Sequence, residues 1–130
     1  MGKRKRANHL CLCGSGQLLE QCCVPYINNE RPAPTAEALM RSRYTAYVLH
    51  NEAYILSTWH SSTRPDVVPM DTEPASKWLG LEIINRDNDS VEFIARYKVQ
   101  GKAYKLHEKS RFVCEDRQWY YIDGEIKSSA

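Results

Sequence analysis

The chain has 130 residues, 42% apolar and 26% charged, with a formal net charge of +2. That suffices for one domain with its own core, and it places no global demand for a nucleic-acid or membrane partner. No apolar stretch reaches bilayer-spanning length, so no membrane insertion is expected.

In chain order, residues 1–8 predict a flexible tail carrying Lys3, Arg4, Lys5 and Arg6. Such a run can contact nucleic acid, ribosomal RNA for example, or an acidic protein surface; it is equally the pattern of a solvated tail. It leads into ANHLCLCGSG rather than an apolar segment, so a secretory signal is not expected, and the expected compartment is the cytoplasm, where thiols stay reduced.

Residues 9–25 hold CLCGSGQLLEQCC, which gathers four of the five cysteines. Four thiolates suit a tetrahedral structural zinc ion. The Gly14-Ser15-Gly16 turn lets the backbone double back and aim N–H groups at sulfur. The expected ligands are Cys11, Cys13, Cys22 and Cys23. Adjacent ligands are awkward, so His9 could replace Cys22 or Cys23. Free or disulfide-linked thiols are the alternative, although an odd cysteine count fits a full disulfide framework poorly.

The polar, proline-rich residues 26–34 predict a linker. A helix follows, capped by Thr35, with Met40, Tyr44, Tyr47 and Val48 on one face. His50-Asn51 interrupts it, and Asn51 caps a shorter helix through Trp59. Residues 61–76 contain three prolines and predict mostly loop. His60 is a possible pocket residue, though a lone loop histidine is more often a surface or hydrogen-bonding group.

From Leu79 onward the apolar period is two, and Val91, Phe93, Ala95, Tyr97 and Val99 alternate with polar residues. A turn at Gly101-Lys102 would place Val99 opposite Tyr104, Tyr97 opposite Leu106, Ala95 opposite Glu108, Phe93 opposite Ser110 and Val91 opposite Phe112. Glu92 would then meet Arg111. A second turn at Asp116-Arg117 would pair Cys114 with Trp119, Phe112 with Tyr121 and Ser110 with Asp123. Helices followed by an antiparallel meander make an α+β domain, expected over residues 35–126 with a tail at 127–130.

This register sets Glu108, Ser110 and Asp123 on the apolar face, where polar groups need partners. They could form a pocket that binds a ligand or moves protons. Alternatively, Glu108 or Asp123 pairs with Arg43 or a tyrosine hydroxyl and fixes the helix on the sheet, the more frequent use of such groups. His107 is expected to point away and be solvated, and Cys114 to be a buried, inert thiol. No Walker motif, dinucleotide fingerprint or nucleophile elbow occurs, so the reading leans away from an enzyme.

CLCGSGQLLEQCC resembles the SEC-C motif, the zinc module found at the C-terminus of the SecA translocase motor. RSRYTAYVLHNEAYILSTWHSSTRP (41–65), LHEKSRF (106–112) and WYYIDG (119–124) resemble the YchJ-like family, in which a SEC-C motif precedes a domain of nuclear-transport-factor-2-like fold. That resemblance implies a cone of N-terminal helices on a curved antiparallel sheet, often with a pocket at its open end. Some members carry a second SEC-C motif at the C-terminus; this chain ends in EIKSSA, without cysteine there. The resemblance implies the fold and a zinc ion; with the basic tail, the SEC-C motif motivates the expectation of a binding or adaptor module acting on chaperone, ribosome or protein-export partners. The alternative is a small-molecule binder or enzyme using the pocket.

Overall fold

A computed structural model describes residues 10–68 and 76–129. The basic run at 3–6 and His9 lie outside the described residues. A single 3-10 turn, Leu19–Gln21, precedes three helices: α1 (Val24–Ile27), α2 (Ala36–Val48) and α3 (Glu52–Ser57). Four strands follow: β1 (Ser76–Arg86), β2 (Ser90–Val99), β3 (Lys102–Glu115) and β4 (Gln118–Ser129). They form one antiparallel sheet in the order β1-β2-β3-β4. The fold is α+β, and residues expected as a tail, 127–129, continue β4.

Both helix starts follow from local chemistry. The Thr35 side chain accepts a hydrogen bond from the Ala38 N–H, and the Asn51 side chain accepts one from the Tyr54 N–H. Each occupies a donor that the first helical turn leaves unsatisfied. Helix α3 ends at Ser57 rather than Trp59: Thr58 caps it, and Trp59 bridges Tyr121 of β4, whose N–H donates to the Thr58 carbonyl and whose carbonyl accepts from the His60 N–H.

The two hairpin turns are tight. Gln100 and Gly101 have φ of 52° and 81°; Asp116 and Arg117 have φ of 53° and 67°. Two successive left-handed residues are the geometry that matches strand twist in a two-residue hairpin, and it favours X-Gly. The first turn therefore sits at Gln100-Gly101, not Gly101-Lys102. Val99 pairs with Lys102, Tyr97 with Tyr104, Ala95 with Leu106, Phe93 with Glu108 and Val91 with Ser110. The slip from the expected register is two residues, so every side chain keeps its face. The expected Glu92–Arg111 pair does not form. Glu92 meets Lys109 across the ladder and bonds His107 at 2.6 Å. His107 is half-buried in that contact rather than fully solvated.

The second hairpin pairs Cys114 with Trp119 and Phe112 with Tyr121, as expected. A bulge then intervenes between Arg111 and Phe112, with Ile122 as the extra residue of β4. Beyond it Arg111 meets Asp123 and Ser110 meets Gly124. An extra residue exchanges faces in a period-two element, so Asp123 leaves the apolar face. Cys114 is exposed rather than buried, near the turn end of the sheet where residues 114–118 are all exposed.

Helix α2 lies against β1, β2 and β4 and buries Leu39, Met40 and Tyr44. With Ile55 of α3 and Val91, Phe93, Ala95 and Phe112 of the sheet they form the core. Cys11, Cys13, Cys23, Ile27 and Ala33 belong to the same buried cluster. The stretch expected as a linker is thus packed: Ile27 is 8% exposed and Ala33 6%. The Trp119 indole also donates to the Pro34 carbonyl. Among the described residues no helix is long and apolar enough to cross a membrane.

Candidate metal centre and cavity

The cysteine segment is shaped by its own turns. The Cys11 N–H donates to the Gln17 carbonyl at 2.7 Å, closing a loop whose ends pair at Leu10 and Leu18. Within it Gly14 and Gly16 have φ of 81° and 88°, which other residues adopt only with strain. At Gly14 space is short as well: a Cβ there would lie 3.1 Å from the Leu81 carbonyl of β1. The knuckle therefore rests directly on the edge strand. Cys22 follows the 3-10 turn, and the Cys23 carbonyl accepts the first hydrogen bonds of α1.

These turns bring Cys11, Cys13, Cys22 and Cys23 together, with every sulfur within 4.8 Å of the others. The Cys13–Cys22 and Cys22–Cys23 sulfurs are 3.7 and 3.9 Å apart. A tetrahedron with about 2.3 Å from centre to each sulfur has edges of about 3.8 Å. The cluster matches that figure, and no pair is at disulfide distance. The adjacency of Cys22 and Cys23 is no obstacle, because the chain turns into α1 between them.

The surroundings favour an anionic cluster around a cation. Arg41 of α2 donates through Nη1 to the Cys13 carbonyl at 2.7 Å and approaches its sulfur at 3.8 Å. Ser15 Oγ is 3.1 Å from the Cys22 sulfur, and Thr45 Oγ1 is 3.7 Å from that of Cys11. Bonds from the Cys11 and Cys23 thiols hold Cys13 well below its usual range; bonds to Cys11 and Cys13, with burial, push Cys23 up. Burial pushes Cys22 up to about 11. A bound divalent cation favours the thiolate form of its sulfur ligands. Arg41 and Thr45 were not singled out in the sequence. Their spacing of four, one helical turn, was the available signal that they share a face.

The opposite side of α2 borders a cavity of about 290 Å³, lined by Arg43, Tyr47, Trp59, Trp78, Glu108 and Tyr121 among others. Arg43 is 4% exposed. Its Nη1 donates to the Ile55 carbonyl at 2.8 Å and to Thr58 Oγ1 at 2.7 Å, tying it to the end of α3. There a cation complements the helix dipole. Its guanidinium lies 4.7 and 5.1 Å from the Tyr121 and Trp59 ring centres. Glu108 accepts from Ser110 Oγ at 2.8 Å. Neither acid pairs with Arg43 among the described ion pairs, contrary to that expectation.

Of the expected pocket residues, Arg43, Glu108 and Ser110 line the cavity and two do not. Asp123 lies on the open face and binds Arg111 through two bonds of 2.7 Å. His60 bonds Ser62 at 2.7 Å and Glu115 at 2.9 Å. It alternates with Trp59 along the extended segment paired to Tyr121, so Trp59 turns inward and His60 outward. A pocket with two opposed carboxylates is therefore overturned. Gly124 was not foreseen: a Cβ there would lie within contact of Glu108 Oε2, so the carboxylate rests against bare backbone.

Knuckle, helix and sheet together define a class: a SEC-C cysteine motif carried by a nuclear-transport-factor-2-like α+β domain. Residues 35–124 match the family described as "YchJ, middle NTF2-like domain". A UPF0225 protein of Chromobacterium violaceum is 49% identical over 135 residues, covering 97% of this chain and 99% of its own. A UPF0225 protein of Polaromonas naphthalenivorans is 50% identical over 109 residues, covering 80% and 79%. The solution structure of a SEC-C motif containing protein from Rhodopseudomonas palustris superposes with a TM-score of 0.79 at 36% identity, covering 91% of this chain and 98% of that one. A crystal structure of such a protein from Psychrobacter arcticus gives 0.67 at 26% identity, covering 96% and 82%. The chain belongs to the YchJ-like UPF0225 family.

Proposed function

We propose that this chain is a zinc-stabilised binding protein of the cytoplasm, with one structural Zn²⁺ held by Cys11, Cys13, Cys22 and Cys23. The observation that carries the reading is the sulfur spacing, which is that of a tetrahedral thiolate site. Four protein sulfurs leave no open coordination position for water, so the metal's contribution is to folding and not to a reaction. The tied knuckle presents Leu10 and Leu12, 62% and 39% exposed, beside the polar Gln17 and Glu20. We assign this surface to a macromolecular partner among chaperones, ribosomes or the protein-export machinery, with the basic residues 3–6 adding contact to nucleic acid.

Two measurements test the proposal. Metal analysis of protein purified without chelator should give one zinc per chain, and Cys13→Ser should give almost none. Immobilised protein should retain one of those partner classes from native extract, and Leu10→Ser/Leu12→Ser should release it while keeping zinc. Metal-free wild type with a folded knuckle sinks the zinc reading; unchanged capture by the double variant sinks the surface.

A further inference from the structure

The cavity between α2 and the sheet has no role in the metal centre, and its composition is unusual. Its walls are aromatic: Trp59 meets Tyr121 edge-on at 5.0 Å, and Tyr44 meets Trp78 at 5.8 Å. Into this apolar space project one cation and one anion that do not pair with each other. Both bonds that Arg43 makes to described residues use Nη1, and its side chain lines the cavity. Glu108 receives one bond from Ser110, and a carboxylate has room for more. The two charges act on the same neighbours with opposite sign: burial raises Tyr47 and Tyr121, Arg43 opposes that rise, and Glu108 adds to it.

The two opposite charges do not neutralise each other, and each has the capacity to take a further partner in the cavity. A bound molecule that offers an acceptor to Arg43 and a donor to Glu108 satisfies both. It must be neutral overall, since either net charge would face one like charge at close range. Aromatic walls favour a flat π-system. The volume lies near the lower end of the roughly 300–1,000 Å³ typical of ligand sites, which admits one or two fused rings. Tyr47, Trp78, Leu106 and Glu108 are half-buried, which leaves the cavity reachable from solvent.

We infer that this cavity binds a neutral, flat aromatic molecule whose edge carries a hydrogen-bond acceptor beside an N–H or O–H donor, an aromatic lactam or amide in chemical class. The inference is independent of the zinc proposal, and each can fail alone. Trp59 and Trp78 line the cavity while Trp119 does not, so their indole N–H signals in NMR give an internal comparison. The probe is quinolin-2-one, with naphthalene (no polar edge) and 2-naphthoate (anionic) as comparators.

Quinolin-2-one should shift the Trp59 and Trp78 signals with submillimolar affinity and leave Trp119 in place. Both comparators should bind at least about tenfold more weakly. Leu106→Trp, which fills the cavity, should abolish binding. Glu108→Leu should weaken quinolin-2-one about tenfold and naphthalene little. Should Glu108→Leu fail to fold, Glu108→Gln serves: loss of the anion should relieve the discrimination against 2-naphthoate. No shift of Trp59 and Trp78 at millimolar probe, equal affinity for all three probes, or binding untouched by Leu106→Trp would overturn the inference.

Discussion

Gly124 shows how one missing side chain sets another's position. A Cβ at this residue would overlap Glu108 Oε2 and crowd its Cδ at 2.7 Å. The obstacle is the end of a flexible side chain, so Glu108 can swing away at little energetic cost, and alanine is at least as favourable as glycine in a strand. Gly124→Ala should therefore keep its thermal midpoint within about 3 °C, under about 1 kcal/mol, yet weaken quinolin-2-one about tenfold, as Glu108→Leu does. A large fall in stability with binding intact would show that Glu108 is held by something else. Arg41 and Arg43 make a related point. Two residues apart on one helix, they face different sites, one the sulfurs and the other the cavity. The residue types in RSRYT are visible in the sequence, but which arginine serves which site depends on what packs on each side of α2.

Among the elements, the helix caps were legible because Thr35 and Asn51 act on donors three residues away, a purely local relation. The first hairpin was legible to within its turn: glycine suits either central position of a two-residue loop, and only the twist of the assembled strands selects the second. The β3–β4 bulge left no local mark, and it decided the fate of Asp123. Its carboxyl now bonds Arg111, which holds it below the usual carboxylate range. A depressed folded-state value means the pair contributes above the unfolded-state value and fades as pH falls through the lowered one. Both partners are largely exposed, so the contribution is small. Asp123→Asn should flatten the acid side of a urea-midpoint profile slightly and leave cavity binding unchanged. Lost binding would return Asp123 to the cavity and contradict the bulge.

For the whole molecule, the sequence suggested a separate zinc module on a linker, and the packing shows one core. The proline-rich composition of residues 26–34 masked Ile27 and Ala33, whose burial depends on residues distant in sequence. Gly14 against Leu81, Cys11 beside Thr45 and Arg41 on Cys13 join the knuckle to both sheet and helix. Metal ligation in short zinc peptides is worth on the order of ten kcal/mol. Part of that should reach the domain here. Chelation should lower the midpoint of the entire chain by at least about 10 °C, roughly 3 kcal/mol for a domain of this size, in one cooperative transition. Removal of residues 1–25 should do the same, contrary to the behaviour of independent modules. An unchanged main transition would restore the linker.

The four cysteines themselves were legible, since CLCGSGQLLEQCC states both the donors and the turn that folds them together. What spacing left open was the ligand set, and zinc-edge X-ray absorption of the native protein decides it most directly. The account predicts a single shell of four sulfurs at about 2.3 Å. A shell of three sulfurs with one nitrogen at about 2.0 Å would put His9 in place of a cysteine, and an absence of zinc would contradict the account altogether.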